Sequence, residues 1–195
     1  IWQKTFHPAL IPTSVDALAI EQALARQALR LAMQQFQTRY PAQSLFFEPI
    51  LAAGAALSQA PSFAQTMLIL LDGLQPSGIT TLALDQNGLT AMLGAVSDFS
   101  SLLPVQVLES GAYLNLGTVI CPVSEARYGT PILEASLDYG QGNVTRMEVR
   151  QGTLAALPLK QGQTAVIQVK ALHGTVIDPR SRKSTVKFKI TGGSC

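Results

Sequence analysis

Three carboxylates, Asp72, Asp85 and Glu109, stand in otherwise apolar sequence and are the side chains best placed to meet a ligand or a charged partner. A plainer reading gives them a helix end, a turn and a packing network. The two histidines, His7 and His173, have no cysteine or histidine at ligand spacing, so they read as structural or surface residues, not metal ligands or bases. Cys121 lies in an apolar stretch and reads as a small buried hydrophobe, while Cys195 ends the chain; together they make neither a disulfide framework nor a metal site. That usage fits a reducing cytoplasm. The sequence contains no Gly-x-Ser-x-Gly elbow, no Walker A loop and no Gly-x-Gly-x-x-Gly fingerprint. With no nucleophile–base pair and no metal set, a self-contained enzyme is not expected.

What the sequence offers instead is a cluster of small residues. An apolar run from Leu45, broken by Glu48 and Pro49, ends in Ala52, Ala53, Gly54 and Ala55. Small residues after a strand let the backbone approach something bulky, either a ligand or a neighbouring helix. Pro49 is expected to open the strand, where its missing N–H does little harm. Ser62 and Gln65 have capping-box spacing, so Phe63 to Leu74 is expected to be a helix closed by Gly73, Pro76 and Gly78. Ile79 to Leu84 reads as a β-branched strand, Asp85 to Gly88 as a turn, and Leu89 to about Asp98 as a helix. Strands alternating with helices over short links predict an α/β layer on a mainly parallel sheet. Ligands in such sheets bind at the carboxyl ends of strands, which here means the loops 53–56 and 85–88.

Ahead of this layer, Trp2 to Pro12 reads as an extended lead-in. Thr13 and Asp16 then form a helix start, and the pattern stays helical from Val15 to about Gln37. Ile20, Leu24, Ala28 and Leu31 form one apolar stripe, and Leu29, Met33, Phe36 and Tyr40 another. Gln22, Arg26, Arg30 and Gln34 are expected to face water.

Beyond Pro104 the character changes. Residues 1–104 hold four Lys/Arg against six Asp/Glu and five Gly, whereas residues 105–195 hold ten against six and ten Gly. We therefore expect a boundary near Pro104, with an α/β portion at 1–104 and an antiparallel β domain at 105–195. Val105 to Leu114 reads equally as helix or as the opening of the β domain. Strands are expected over 115–123, 132–139, 144–150, 153–157, 164–172 and 185–191, separated by glycine turns, as in a small antiparallel barrel or sandwich. Arg180, Arg182, Lys183, Lys187 and Lys189 lack interleaved aromatics apart from Phe188, so they read as a solvated loop and strand face and not as a nucleic-acid patch. No apolar run approaches the ~18–20 residues of a membrane span. Ile1 is not an initiator residue and no signal-peptide pattern opens the chain, so a piece of a longer protein is expected.

Two segments carry a family resemblance. The run Ile50 to Leu57 followed by Met67 to Asp85, and the run Val105 to Val123, resemble the MutL family associated with glutamate mutase, which is unrelated to the mismatch-repair protein of that name. The resemblance implies an actin-like ATPase fold, of the actin and heat-shock-chaperone type, and an accessory, chaperone-like role toward adenosylcobalamin-dependent mutases. It also implies ATP or ADP with Mg²⁺ in the full-length protein, with Ala52, Ala53, Gly54 and Ala55 where the superfamily places a Gly-Gly turn against adenosine. Only Gly54 keeps glycine's freedom here; alanine resists positive φ and adds a methyl. Phosphate-binding loops and the catalytic carboxylate would lie ahead of Ile1. The chain then reads as a non-catalytic carboxyl-terminal portion holding part of one ATPase lobe plus a β domain for assembly or partner docking, with a homo-oligomer compatible. A purely structural or protein-interaction module without nucleotide is the alternative.

Overall fold

A computed structural model describes residues 2–7, 9–41, 46–179 and 183–193. The readings made on Pro8, Leu45, Arg180, Arg182 and Cys195 lie outside the described residues. The chain forms two compact units, one of Ile1–Pro76 with Thr81–Thr118, the other of Ser77–Thr80 with Val119–Cys195.

β1 (Ile50–Ala53) pairs in parallel with β2 (Gly78–Asp85), and β3 (Leu114–Cys121) completes a mixed three-stranded sheet in the order β1-β2-β3. Alternate residues of β2, among them Thr80, Leu82 and Leu84, are fully buried. Pro49 immediately precedes β1 and has no N–H, and beside it the Glu48 side chain accepts the Thr81 N–H at 2.8 Å, extending the ladder where the backbone does not. Between β1 and β2 run the short turn α3 (Ala55–Ser58) and α4 (Phe63–Leu74). The expected cap of α4 is present, with Ser62 Oγ accepting the Gln65 N–H at 3.3 Å. The helix ends on Gln75 in the left-handed region at φ 48°. Helices α5 (Leu89–Val96) and α6 (Leu102–Glu109) follow β2, so the ambiguous stretch from Val105 begins as helix, and the composition shift at Pro104 falls inside α6.

Helix α2 (Val15–Arg39) packs on α4, and its orientation corrects the sequence reading. Its cap is Ser14, whose Oγ accepts the Ala17 N–H at 3.2 Å, one residue later than the Thr13–Asp16 pairing. Of the four residues expected to face water, Arg30 and Gln34 are exposed but Gln22 and Arg26 are half-buried at the seam: Gln22 Nε2 donates to Gln65 Oε1 at 3.2 Å, Arg26 pairs with Asp72 at 3.1 Å, and at the rim Arg30 Nε donates to the Asp72 carbonyl at 3.0 Å. The Ile20, Leu24, Leu31 stripe is instead exposed, at 56%, 42% and 49%. Apolar residues sit all round this helix, so periodicity alone does not choose its inner face. The choice is made at Gly73, where an added Cβ would stand 2.6 Å from Leu29 Cβ. Ahead of α2, α1 (Trp2–Phe6) replaces the expected extended lead-in, the prolines lying beyond its last residue.

The second unit contains an open four-stranded antiparallel sheet in the order β5-β4-β6-β7, formed by β4 (Pro131–Asp138), β5 (Val144–Arg150), β6 (Thr164–Ala171) and β7 (Thr185–Thr191). Its inner face buries Leu133, Ala135, Leu137, Ile167 and Val169, together with Ile132 and Ile177. Neither the expected barrel nor the sandwich forms: the ladder stops at β5 and β7, and the strand expected over 115–123 is β3 of the other sheet. The strand expected over 153–157 is also absent. There Leu157 and Leu159 turn into the core, Leu159 N–H folds back to the Leu157 carbonyl at 2.8 Å, and the Tyr139 hydroxyl donates to the Pro158 carbonyl at 2.8 Å. The Thr153 N–H likewise turns back to the Arg150 carbonyl at 3.1 Å, so the stretch runs through local turns and not along a ladder. Among the described residues no helix is long and apolar enough to cross a membrane.

The two helical glycines make opposite predictions. Gly73→Ala drives a methyl into Leu29 and lowers stability by about 1–3 kcal/mol despite alanine's better helix propensity. Gly94→Ala, with nothing within 4 Å of the new methyl, raises stability by up to about 1 kcal/mol. Urea unfolding midpoints of the two variants check both signs, and a neutral Gly73→Ala overturns the close-approach account.

Candidate functional site

The parallel register brings the two loops singled out above to one edge. Ala52 stands opposite Leu84 and Ala53 opposite Asp85, so β1 and β2 end at the same level. Beyond Ala53 the chain turns at Gly54, which has φ 109° and ψ 151°, a conformation that L side chains rarely adopt. Nothing lies within 4 Å of the position its Cβ would take. Ala52 is buried beneath the turn, Ala53 and Gly54 are exposed, and Ala55 is half-buried.

Three contacts hold this turn. Leu57 and Ser58 both return their N–H groups to the Gly54 carbonyl, at 3.0 and 2.9 Å. Leu57 is buried, and its carbonyl accepts the buried Thr66 hydroxyl at 2.9 Å, tying α3 to the first turn of α4. The N–H groups of Ala55 and Ala56 precede this pattern and have no acceptor within the turn, as at any helix start. The edge thus presents a bare backbone surface with unclaimed donors, held from behind by apolar packing.

Asp85 completes the edge from β2, and its job is internal. The side chain is 2% exposed. Oδ1 accepts the N–H groups of Asn87 and Leu89 at 3.2 and 3.0 Å; Oδ2 accepts the Thr90 N–H and the Thr90 hydroxyl, both at 2.7 Å. Tyr113 Oη lies 3.3 Å from that hydroxyl. Burial pushes the carboxyl pKa up, but the Thr90 amide and hydroxyl and the Leu89 and Asn87 amides outweigh it and hold the group at about 2. Both oxygens are occupied by the first turn of α5, so Asp85 acts as a helix cap and not as a free ligand or base.

The other sequence candidates are not brought to this edge by any recorded contact. Asp72 pairs with Arg26 across the α2–α4 seam, and Glu109 is exposed at the end of α6. His7 is exposed after α1, and His173 is exposed in a turn at φ 49°. Cys121 is a half-buried free thiol at the end of β3, and burial pushes its pKa up, away from thiolate chemistry. An apolar hollow of about 270 Å³, lined by Met33, Phe47, Ile50, Leu51 and Leu74, opens near the amino end of β1, away from Gly54. The interhelical Arg26–Asp72 tie escaped sequence reasoning; its signal was the chance for a basic residue on α2 to meet an acid at the end of α4. No family model, curated protein or solved structure matches this chain.

The Asp85 cage predicts a pH signature. Its folded pKa lies below the ordinary carboxylate value, so its contribution is complete above roughly pH 4 and is lost as the pH falls toward 2. Asp85→Ala removes the acceptors of four donors and costs about 2–3 kcal/mol at neutral pH. Urea midpoints from pH 2 to pH 6 should slope more steeply in the parent than in the variant. Parallel curves would show that the carboxylate is not held in this way.

Proposed function

We propose that this chain is the carboxyl-terminal part of an actin-like, nucleotide-binding accessory protein serving adenosylcobalamin-dependent mutases, with Ala52 to Ala55 as one wall of the nucleotide cleft. The observation that carries the reading is the Gly54 turn: positive φ, open space over the α-carbon, and a place at the carboxyl edge of parallel β1 and β2. Parallel sheets collect their ligands at that edge. A planar base approaching Gly54 would meet backbone where any side chain would intrude. The residues present fit such a wall on this ground, while Asp85, saturated by its own helix, supplies no ligand to a metal. When bound, ATP with Mg²⁺ would supply the phosphoryl chemistry; this chain's share is to hold the nucleoside.

A second reading, a protein-interaction module without nucleotide, is favoured by α5 and α6. These helices bury no residue; Met92 on α5 is exposed at 57%, Leu102 on α6 at 62% and Phe99 in the link between them at 91%. An apolar hairpin of this kind asks for a covering partner.

Calorimetric titration of ATP and ADP with Mg²⁺ separates the two. In the longer protein implied by the resemblance, Gly54→Val should weaken binding by roughly tenfold or more, or about 1.4 kcal/mol, read well below a melting temperature that the strained backbone at φ 109° itself lowers. This chain alone, with one wall, should bind far more weakly. Unchanged binding in the variant, or no heat from the longer protein, would leave the interaction module as the surviving reading.

A further inference from the structure

The β7 edge of the four-stranded sheet combines three features that together specify a partner. Its ladder with β6 is bracketed by the Ala171 N–H donating to the Ser184 carbonyl at 2.7 Å and the Gly192 N–H donating to the Gln163 carbonyl at 2.8 Å. Mutually bonded pairs recur at every second residue of an antiparallel ladder, so Val186, Phe188 and Ile190 bond to β6. Thr185, Lys187, Lys189 and Thr191 therefore turn their N–H and C=O groups outward, away from the sheet. Among the described residues these outward groups have no backbone partner.

The side chains of the same strand are sorted by face. Val186, Phe188 and Ile190 lie half-buried against the core and leave its margin open at the edge. Lys187 and Lys189 stand exposed on the other face. Their cross-strand neighbours are Gln168 and Val166, so no carboxylate lies in register with either lysine. Lys170, by contrast, has Glu134 opposite it on β4. On β7, then, a free backbone edge coincides with two lysines that have no carboxylate in register.

Charge also argues against a second copy as occupant. Two β7 strands paired across a twofold axis would bring lysines together, and like charges opposite one another destabilise a sheet. The other end strand, β5, offers Arg146 and Arg150 on the same outer face, with Glu148 already 2.8 Å from Arg150. We propose that β7 takes up an extended segment of a partner protein in which acidic residues facing Lys187 and Lys189 alternate with apolar residues that continue the cover over Val186, Phe188 and Ile190. Free main-chain groups give the attachment, and the two faces give the specificity. Lysines on an edge also serve to repel stray strands, and the experiment must tell recognition from defence.

The probe is a fluorescein-labelled peptide alternating valine with glutamate, titrated into the whole chain by anisotropy beside the same peptide with lysine for glutamate. The glutamate peptide should bind roughly tenfold tighter, the worth of two cross-strand ion pairs. Lys187→Glu combined with Lys189→Glu should reverse that preference, a result that a misfolded variant could not give. N-methylation of one alternate set of peptide amides should abolish binding while the other set is tolerated. No binding of either peptide, or equal binding by parent and double variant, overturns the proposal. So does a single-stranded oligonucleotide that binds the edge while the glutamate peptide does not, since the lysines would then serve a phosphate polymer.

Discussion

A buried carboxylate at the end of β2 is the constraint on which the candidate site depends. Leaving Asp85 ionised away from water is costly, and the cost is offset only because four donors converge on its two oxygens. Three of those donors are main-chain amides of the turn and first residues of α5. Strand end, turn and helix start are therefore one hydrogen-bonded object. Because Ala53 lies opposite Asp85 in the parallel register, the level at which β2 stops also fixes the level at which β1 gives way to Gly54. The bare turn stands where it does through a carboxylate that itself touches no ligand.

A second constraint acts from behind. The sheet edge is backed by α3 and α4, and α4 is held in turn by α2 through a contact that tolerates no side chain at Gly73. With α2 this close, polar side chains at the rim reach across: Gln22 to Gln65, and Arg26 and Arg30 to Asp72. A partly exposed pair of this kind contributes little by itself. Its value is directional, since the polar rim selects one rotation of a helix whose apolar residues permit several. The same selection leaves Ile20, Leu24 and Leu31 facing outward.

How legible these features are in the sequence follows from how local their causes are. Ser62 and Gln65 announce α4, and alternation with glycine punctuation announces β5 and β7 to the residue, because caps, turns and period belong to neighbouring residues. The period offers the stripe of Leu29, Met33 and Phe36 as one of two inner faces of α2, and these three are the half-buried ones; the choice between the two depends on Gly73, some forty residues away. The barrel expectation failed for a related reason. β3 resembles its successors in composition, but it joins β2 at the edge of a different sheet, and the 153–157 stretch is flanked by local turns and enters no ladder. Asp85 stood out as a carboxylate in apolar sequence, yet only the convergence of the Asn87, Leu89 and Thr90 donors decides between cap and ligand.

The alanines around Gly54 bear on the proposed cleft in a way the sequence alone misjudges. If the turn needed two residues at positive φ, Ala53 or Ala55 would have to bear strain. Among the described residues, Gln75, Gln141 and His173 are the non-glycine residues at positive φ, and neither alanine is among them. The turn closes with one glycine in the left-handed half of the map, and Ala53 keeps a strand conformation whose methyl is an ordinary strand substituent. Alanine at 53 and 55 therefore carries no positive-φ strain. Its consequence is confined to contact: Gly54 offers a flat backbone surface, and the exposed Ala53 methyl beside it narrows the approach. A base lying over Gly54 would meet that methyl at its rim and not beneath its plane. On this geometry the alanines set the outline of the wall, and the glycine alone decides whether there is one.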